Sequence, residues 1–293
     1  MIDTGLNLRT PEPEKPSIIF WKRFRRNKPA LIGLIILITL IIASLAAPLL
    51  TQFDPEKQSL KDSLEFPSRT HLLGTDYLGR DMLTRLLYGG RISLMIGFLS
   101  VSLGLLIGVT LGAISGYFGG YYDLIIQRVA DILLSFPSFL LALTLVAMLG
   151  VGLRNVIISV GILAIPSFIR LVRSSVLSVR ETQYVEASRC AGAKDFHILR
   201  RHILPNSMGP VIINASLNLG YAISTAAGLG FLGLGVPPNI PEWGMMLGQA
   251  KNYIFSHPYM VTYSGLIIFI TIISVNLIGD GLRDALDPRM RSY

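Results

Sequence analysis

The chain has 293 residues, 51% of them hydrophobic and only 15% charged, with a mean hydropathy of +0.56. A soluble domain carries about a quarter charged residues, and here the apolar residues gather into long runs. Composition therefore excludes a soluble globule and points to a polytopic membrane protein built from helices. The net charge of +8 raises the question of a nucleic-acid surface, and a single cysteine, Cys190, excludes an internal disulfide.

Charge-free runs lie at about 29–50, 92–122, 132–153, 155–169, 207–240 and 258–279. Each reaches or approaches the roughly 20 residues that cross a bilayer as a helix, so six transmembrane helices are expected, with both termini on one side. If that side is the cytoplasm, residues 1–29, 116–131, 170–206 and 280–293 hold about 18 of the 26 Lys and Arg. This is the positive-inside asymmetry. The basicity is explained by topology, and no nucleic-acid partner is needed.

In chain order, 22-KRFRRNK-28 precedes the first span. With Phe20, Trp21 and Phe24 it can rest on an anionic leaflet, either as a topology anchor or as a lipid contact. The polar lead and the apolar run ending at 43-ASLAAP-48 are both too long for a signal peptide, so the first span, 30–50, is read as uncleaved. The segment 51–91 is expected outside the cell. Within it 81-DMLTRLLYGGR-91 reads as an Asp-started amphipathic surface helix that turns into span 2 at Gly89-Gly90.

Span 2 carries glycines at 104, 108, 112 and 116, one stripe along which another helix can approach closely. Its tail, 116-GYFGGYYD-123, is a turn without phosphate-loop spacing. At the edge of span 3, Asp131 lies three residues after Arg128, so the two can satisfy each other on one helix face. In span 5, Asn214, Asn218, Tyr221 and Thr225 share a face; the stripe can line a solvated pathway or serve as interhelical hydrogen bonding. The Pro- and Gly-rich 228-GLGFLGLGVPPNIPEWGMML-247 is expected to be irregular, with Trp243 at the membrane interface. The Asp287-Pro288 pair marks a helix stop near the end.

The most ornate polar segment is 181-ETQYVEASRCAGAKDFHILRRHILPN-206. It contains no nucleophile–base pair and no metal cluster, and the four histidines are scattered. Acids early and Arg189 late favour a helix from Glu181 to Ala191, and Gly192 suits a left-handed cap. Asp195 is then expected to cap a short helix, Phe196 to Ile203, which Pro205 stops. Ala187, Ala191 and Gly192 form a small-residue surface rimmed by charge, with Phe196, Ile198, Leu199 and Leu204 either giving a partner apolar purchase or anchoring the segment to its own spans. A partner protein fits such a segment better than a reaction does.

This segment resembles the EAA loop of bacterial ABC-importer permeases, standing here as Glu186, Ala187, Ser188, Gly192 and Leu204-Pro205, with Ser188 in place of the second Ala. Further stretches resemble the C-type permease subunit of dipeptide, oligopeptide and nickel importers: 20-FWKRFRRNKPALIGL-34, 71-HLLGTDYLGRD-81, 231-FLGLGVPP-238 with Pro241 and Trp243-Gly244, and 276-NLIGDGLRDALDPR-289. The resemblance implies the type I ABC-importer permease fold, a core of five spans over 92–281, and a coupling loop, 176–206, that docks on an ATPase. A cytoplasmic tail, 282–293, follows.

It also implies two ATPase subunits that hold ATP and magnesium, a second, B-type permease, and an extracytoplasmic solute-binding protein. The chain has no Gly-Lys dipeptide and hence no phosphate loop of its own. The cargo implied is a di- or oligopeptide, with a nickel chelate or another small solute as the alternative. An ATP-independent channel or secondary transporter would need ionisable residues near mid-membrane, and the spans lack them.

Overall fold

The computed structural model describes residues 16–286, so the N-terminal residues before 16 and the Asp287-Pro288 stop lie outside the described residues. All regular elements among the described residues are helical. Helix α1 spans Pro16–Arg26 and α2 spans Lys28–Leu45. Between them Asn27 caps α2, its side chain accepting from the Ala30 N–H at 3.0 Å, with Pro29 in the first turn. Phe24 and Ala30 are buried against Ala285 near the other end of the chain. A short α3, Ala47–Leu50, closes this part.

Residues 51–81 form turns without a long helix, and Asp81 then caps α4, Met82–Phe118, by accepting from the Thr84 N–H at 2.7 Å. The Asp-started helix expected from the sequence is present, but it does not lie apart and turn at Gly89-Gly90. It continues unbroken for 37 residues, about 55 Å at 1.5 Å per residue. The two glycines serve close approach instead: a Cβ on Gly89 would come 3.1 Å from Trp243 Cδ1, and one on Gly90 would strike Ser44 Oγ.

Helix α5, Gly120–Leu134, follows a two-glycine turn in which Gly119 and Gly120 both have positive φ. A 91° bend at Ser135-Phe136-Pro137 separates it from α6, Ser138–Leu149. Helix α7, Leu153–Arg180, packs along the C-terminal part of α4, from Ser100 to Gly116. The glycine stripe meets it as expected: Gly104 lies under Ala164 and Gly161, Gly108 under Phe168, Gly112 under Val172, and Gly116 under Val176. A Cβ on Gly112 would approach the Ile169 carbonyl to 2.7 Å, and one on Gly116 would approach the Arg173 carbonyl to 2.9 Å. Backbone contact of this kind needs glycine.

Three short elements, α8 (Gln183–Cys190), α9 (Asp195–Ile198) and a π turn (Leu199–Ile203), lead into α10, Leu204–Phe231. An irregular stretch then reaches α11, Trp243–Ala250, and α12, Pro258–Leu286, ends the described chain. Helices α4, α7 and α10 share the main core around Ile96, Phe168, Val172 and Leu229. By length and composition α2, α4, α7 and α12 can each cross a membrane, and the bent α5–α6 pair can supply a fifth crossing. The six runs thus appear as four or five candidate spans. Helix α10 is uncharged and 28 residues long, but its Asn, Ser and Gly residues dilute its apolar character.

The Met82 end of α4 is held by a buried polar network. Arg80 and Arg85 are 1% and 0% exposed. Arg80 Nε donates to Asp76 Oδ2 at 2.7 Å, and Arg85 Nη1 donates to the Pro55 carbonyl at 2.8 Å. His71 Nδ1 lies 3.0 Å from Asp81 Oδ1. The irregular stretch is pinned to the same end by Glu242, which caps α11. Its carboxylate accepts from the N–H groups of Gly244 (2.8 Å) and Met245 (2.7 Å) and from Ser93 Oγ (2.9 Å). Burial pushes the Glu242 carboxyl above the usual carboxylate range, while those three donors act in the opposite direction. Trp243 is 1% exposed, with Nε1 donating to the Leu86 carbonyl at 2.9 Å. It is a packing anchor turned into the protein, where the α4 backbone offers its indole N–H a partner.

Candidate functional site

The segment after α7 folds in two short steps. Val185 is fully buried and holds α8 to the core, while Glu186 and Ala187 on its other side are exposed. Gly192 has φ +81°. The Ala193 N–H donates to the Ser188 carbonyl at 3.1 Å and the Gly192 N–H to the Arg189 carbonyl at 2.9 Å. This is the Schellman pattern of a helix ended by a left-handed residue. No atom lies within 4 Å of where a Gly192 Cβ would be, so backbone conformation, not space, requires glycine there. Ser188, the departure from the family motif, is half-buried and contributes its carbonyl to the cap.

The second step differs from expectation in two ways. Asp195 is the first helical residue and not the cap; its carboxylate accepts the Tyr117 hydroxyl at 2.6 Å. Pro205 does not stop the helix. Over Leu199–Ile203 the chain widens into a π turn, and the Leu204 N–H reaches the Leu199 carbonyl five residues back. That register leaves room for the proline ring, and α10 begins with Leu204 and Pro205 in its first turn. Leu204 is half-buried against the core and Pro205 is exposed.

The result is a surface with Glu186, Ala187, Gly192 and Pro205 all exposed. Two large apolar side chains join them, Phe196 at 71% exposure and Tyr184 at 46%. A shallow cavity of about 480 Å³ lies between Phe196, His197, Arg200, Arg201 and Pro205. Ile198 is fully buried and Leu199 half-buried, so of the four apolar residues named from sequence only Phe196 is offered outward. Tyr184 escaped the sequence reading because an aromatic residue beside Val185 reads equally as core. The arrangement has cations, an exposed acid and apolar knobs, and among the described residues no group of three His, Cys, Asp or Glu placed to hold a metal.

The ion pair expected between Arg128 and Asp131 is replaced by another. Asp131 accepts from Arg170 Nη2 at 2.7 Å, both side chains more than half exposed. Helix α7 passes α5 closely enough to supply that cation from across the interface. A stronger pair was not foreseen: Arg173 reaches Asp123 with Nε and Nη2, both at 2.6 Å. The polar stripe of α10 divides. Asn214 Nδ2 donates to Ser167 Oγ on α7 at 3.2 Å, and Asn218 Nδ2 donates to the Asn214 carbonyl at 2.9 Å. Thr225 is 5% exposed and Tyr221 48% exposed. The four residues share a helix face, on which Asn214 and Asn218 are half-buried.

Known proteins agree with this architecture. Residues 108–292 match the family of binding-protein-dependent transport system inner membrane components, and residues 16–67 match the N-terminal transmembrane domain of oligopeptide transport permease C. A dipeptide transport system permease of Alkalihalophilus pseudofirmus is 45% identical, over 97% of each chain. A glutathione transport system permease of Pectobacterium atrosepticum is 44% identical, over 98% of this chain and 94% of its own. A di/tripeptide permease of Pseudomonas aeruginosa is 43% identical, over 96% and 94%. Among solved structures, the inward-facing MetNI methionine ABC transporter shares the fold, with a TM-score of 0.58 at 21% identity over 70% of this chain and 98% of that one. The chain belongs to the inner-membrane permease components of binding-protein-dependent ABC importers, in the oligopeptide-permease-C type.

Proposed function

We propose that this permease pairs with a second, B-type permease to carry di- or oligopeptides across the membrane, and that residues 183–205 dock on a cytoplasmic ATPase dimer. Six spans are assigned by counting α5–α6 as one and α10 as another, with both termini in the cytoplasm. The observation that carries the docking assignment is the exposed row Glu186, Ala187, Gly192 and Pro205 beside Phe196 on a segment otherwise anchored by buried Val185 and Ile198. Glu186 is assigned as the ionic or hydrogen-bonding contact, Ala187 as the close-packing contact, and Gly192 as the turn. Closure of the ATPases on ATP then moves the segment and tilts the attached helices. Such coupling requires that the segment bind the two ATPase states differently.

Peptide cargo is supported by the names of the relatives, which transport dipeptides, di/tripeptides and glutathione, itself a tripeptide. Asn214, Asn218 and Tyr221 are assigned to the wall of the pathway between the two permeases, with Thr225 behind them. The test is uptake by liposomes holding the complete transporter, with ATP inside and the solute-binding protein outside. Labelled dialanine, tetra-alanine, glutathione and a nickel–histidine chelate are offered in turn. Accumulation of a peptide supports the reading, and accumulation of the chelate alone overturns the cargo assignment.

A further inference from the structure

We propose that Tyr117 is the joint through which the docking segment moves α4, and that α4 carries this motion to the stretch around Glu242 at its far end. The proposal rests on the reading of 183–205 as the ATPase-docking segment. Two pieces of that segment, and the end of the helix that leads into it, converge on this one residue. The Arg180 guanidinium, at the end of α7, donates Nη1 to the Tyr117 carbonyl at 3.0 Å. The Arg189 guanidinium, in α8, sits 5.7 Å from the centre of the Tyr117 ring. Asp195, opening α9, accepts the Tyr117 hydroxyl at 2.6 Å. Around them Val176, Val185, Ile198 and Ile203 are fully buried in one cluster with Tyr117. The segment is therefore fastened to the last turn of α4 and is not a free loop.

From Tyr117 the helix runs without a break to Met82, and its glycine stripe locks it against α7. Near the other end it grips the irregular stretch directly. Ser93 Oγ donates to Glu242 Oε1 at 2.9 Å, the Trp243 N–H donates to Ser93 Oγ at 3.1 Å, and Trp243 Nε1 donates to the Leu86 carbonyl. A displacement entering at Tyr117 thus reaches Glu242 through a single packed element, without crossing a loop. Densely packed helices transmit such shifts because their interiors do not compress. The hydroxyl is the separable part. Tyr117→Phe keeps the ring in its apolar cluster, and Asp195 is exposed, so losing the bond leaves no buried charge and the protein folds.

The test uses the whole transporter in lipid nanodiscs, with Cys190→Ala and a reporter thiol at the exposed Leu232 (Leu232→Cys). The labelling rate by a membrane-impermeant maleimide is measured with and without ATP and vanadate. Nucleotide is expected to change that rate when Tyr117 is intact. In Tyr117→Phe and Asp195→Ala the change should shrink about tenfold, the scale of one hydrogen bond to a charged acceptor. In Tyr117→Phe, which leaves residues 183–205 unchanged, ATPase retention and basal ATP hydrolysis should stay at the unaltered level. Asp195→Asn keeps an acceptor oxygen and should restore most of the response, which a merely structural role would not predict. A full nucleotide response in Tyr117→Phe overturns the proposal, as does no response with Tyr117 intact. If the ATPases do not associate with the unaltered chain at all, the docking reading has failed and the proposal falls with it.

Discussion

Gly192 offers the sharpest separation of backbone conformation from surface contact. Its φ of +81° lies in the region that L side chains avoid, and the space around it is open. A residue with a Cβ there costs about 1–2 kcal/mol, with β-branched residues at the upper end and Asn among the best tolerated. Because the turn is exposed, the strain falls on the local conformer and not on the core. One to two kcal/mol lowers the population of the docking-competent turn by about 5- to 30-fold. In reconstituted transporter, ATP-driven uptake should therefore rank Gly192→Asn close to the unaltered chain, Gly192→Ala below it and Gly192→Val lowest, with equal membrane insertion. If Gly192→Asn fails as badly as Gly192→Val, bulk at the interface is the cause and the conformational argument is wrong. Wild-type uptake by Gly192→Val would refute the docking turn altogether.

Other expectations follow from the packing and the buried charges. Gly108→Ala places a Cβ against Phe168 and should destabilise the detergent-solubilised protein by about 1–3 kcal/mol as an overpacked core, read from denaturant unfolding. Arg80→Ala leaves Asp76, 3% exposed, without its closest cation and should cost about 3–5 kcal/mol. Arg170→Ala removes an exposed pair and should change stability by less than about 1 kcal/mol. Glu242 binds its proton more tightly in the folded state than in the unfolded one. Its contribution is therefore full below the ordinary carboxylate range and is lost as pH rises through the raised folded value. Thermal unfolding from pH 5 to 8 should accordingly show a smaller loss of stability with rising pH in Glu242→Gln than in the unaltered chain.

Much of this was legible in the sequence, and the exceptions share a cause. The four-residue glycine spacing of 104–116 identified a packing face because helical period alone places those residues together. Gly192 was recognisable because a left-handed cap leaves a local signature. Gly89-Gly90 was misread as a turn because a glycine pair looks the same whether it bends the chain or admits Trp243 and Ser44 from elsewhere. Pro205 was read as a stop because the π turn that accommodates it has no sequence signature of its own. Asp131 was given the nearer cation, Arg128, since the approach of α7 with Arg170 is a tertiary fact. Tyr117 lay outside the motif because its partners, Arg180, Arg189 and Asp195, meet it only after α7 returns alongside α4.

The most direct test of the account is affinity capture of the tagged chain from membranes that also contain its ATPases, comparing the unaltered protein with Glu186→Ala. The account predicts that the ATPases co-purify with the unaltered chain and are lost or sharply reduced with Glu186→Ala, while the second permease stays bound. Capture of the permease pair with undiminished ATPase in Glu186→Ala would contradict the assignment of Glu186 to the docking contact. Capture of the unaltered chain without any ATPase would contradict the account of 183–205 as the coupling segment.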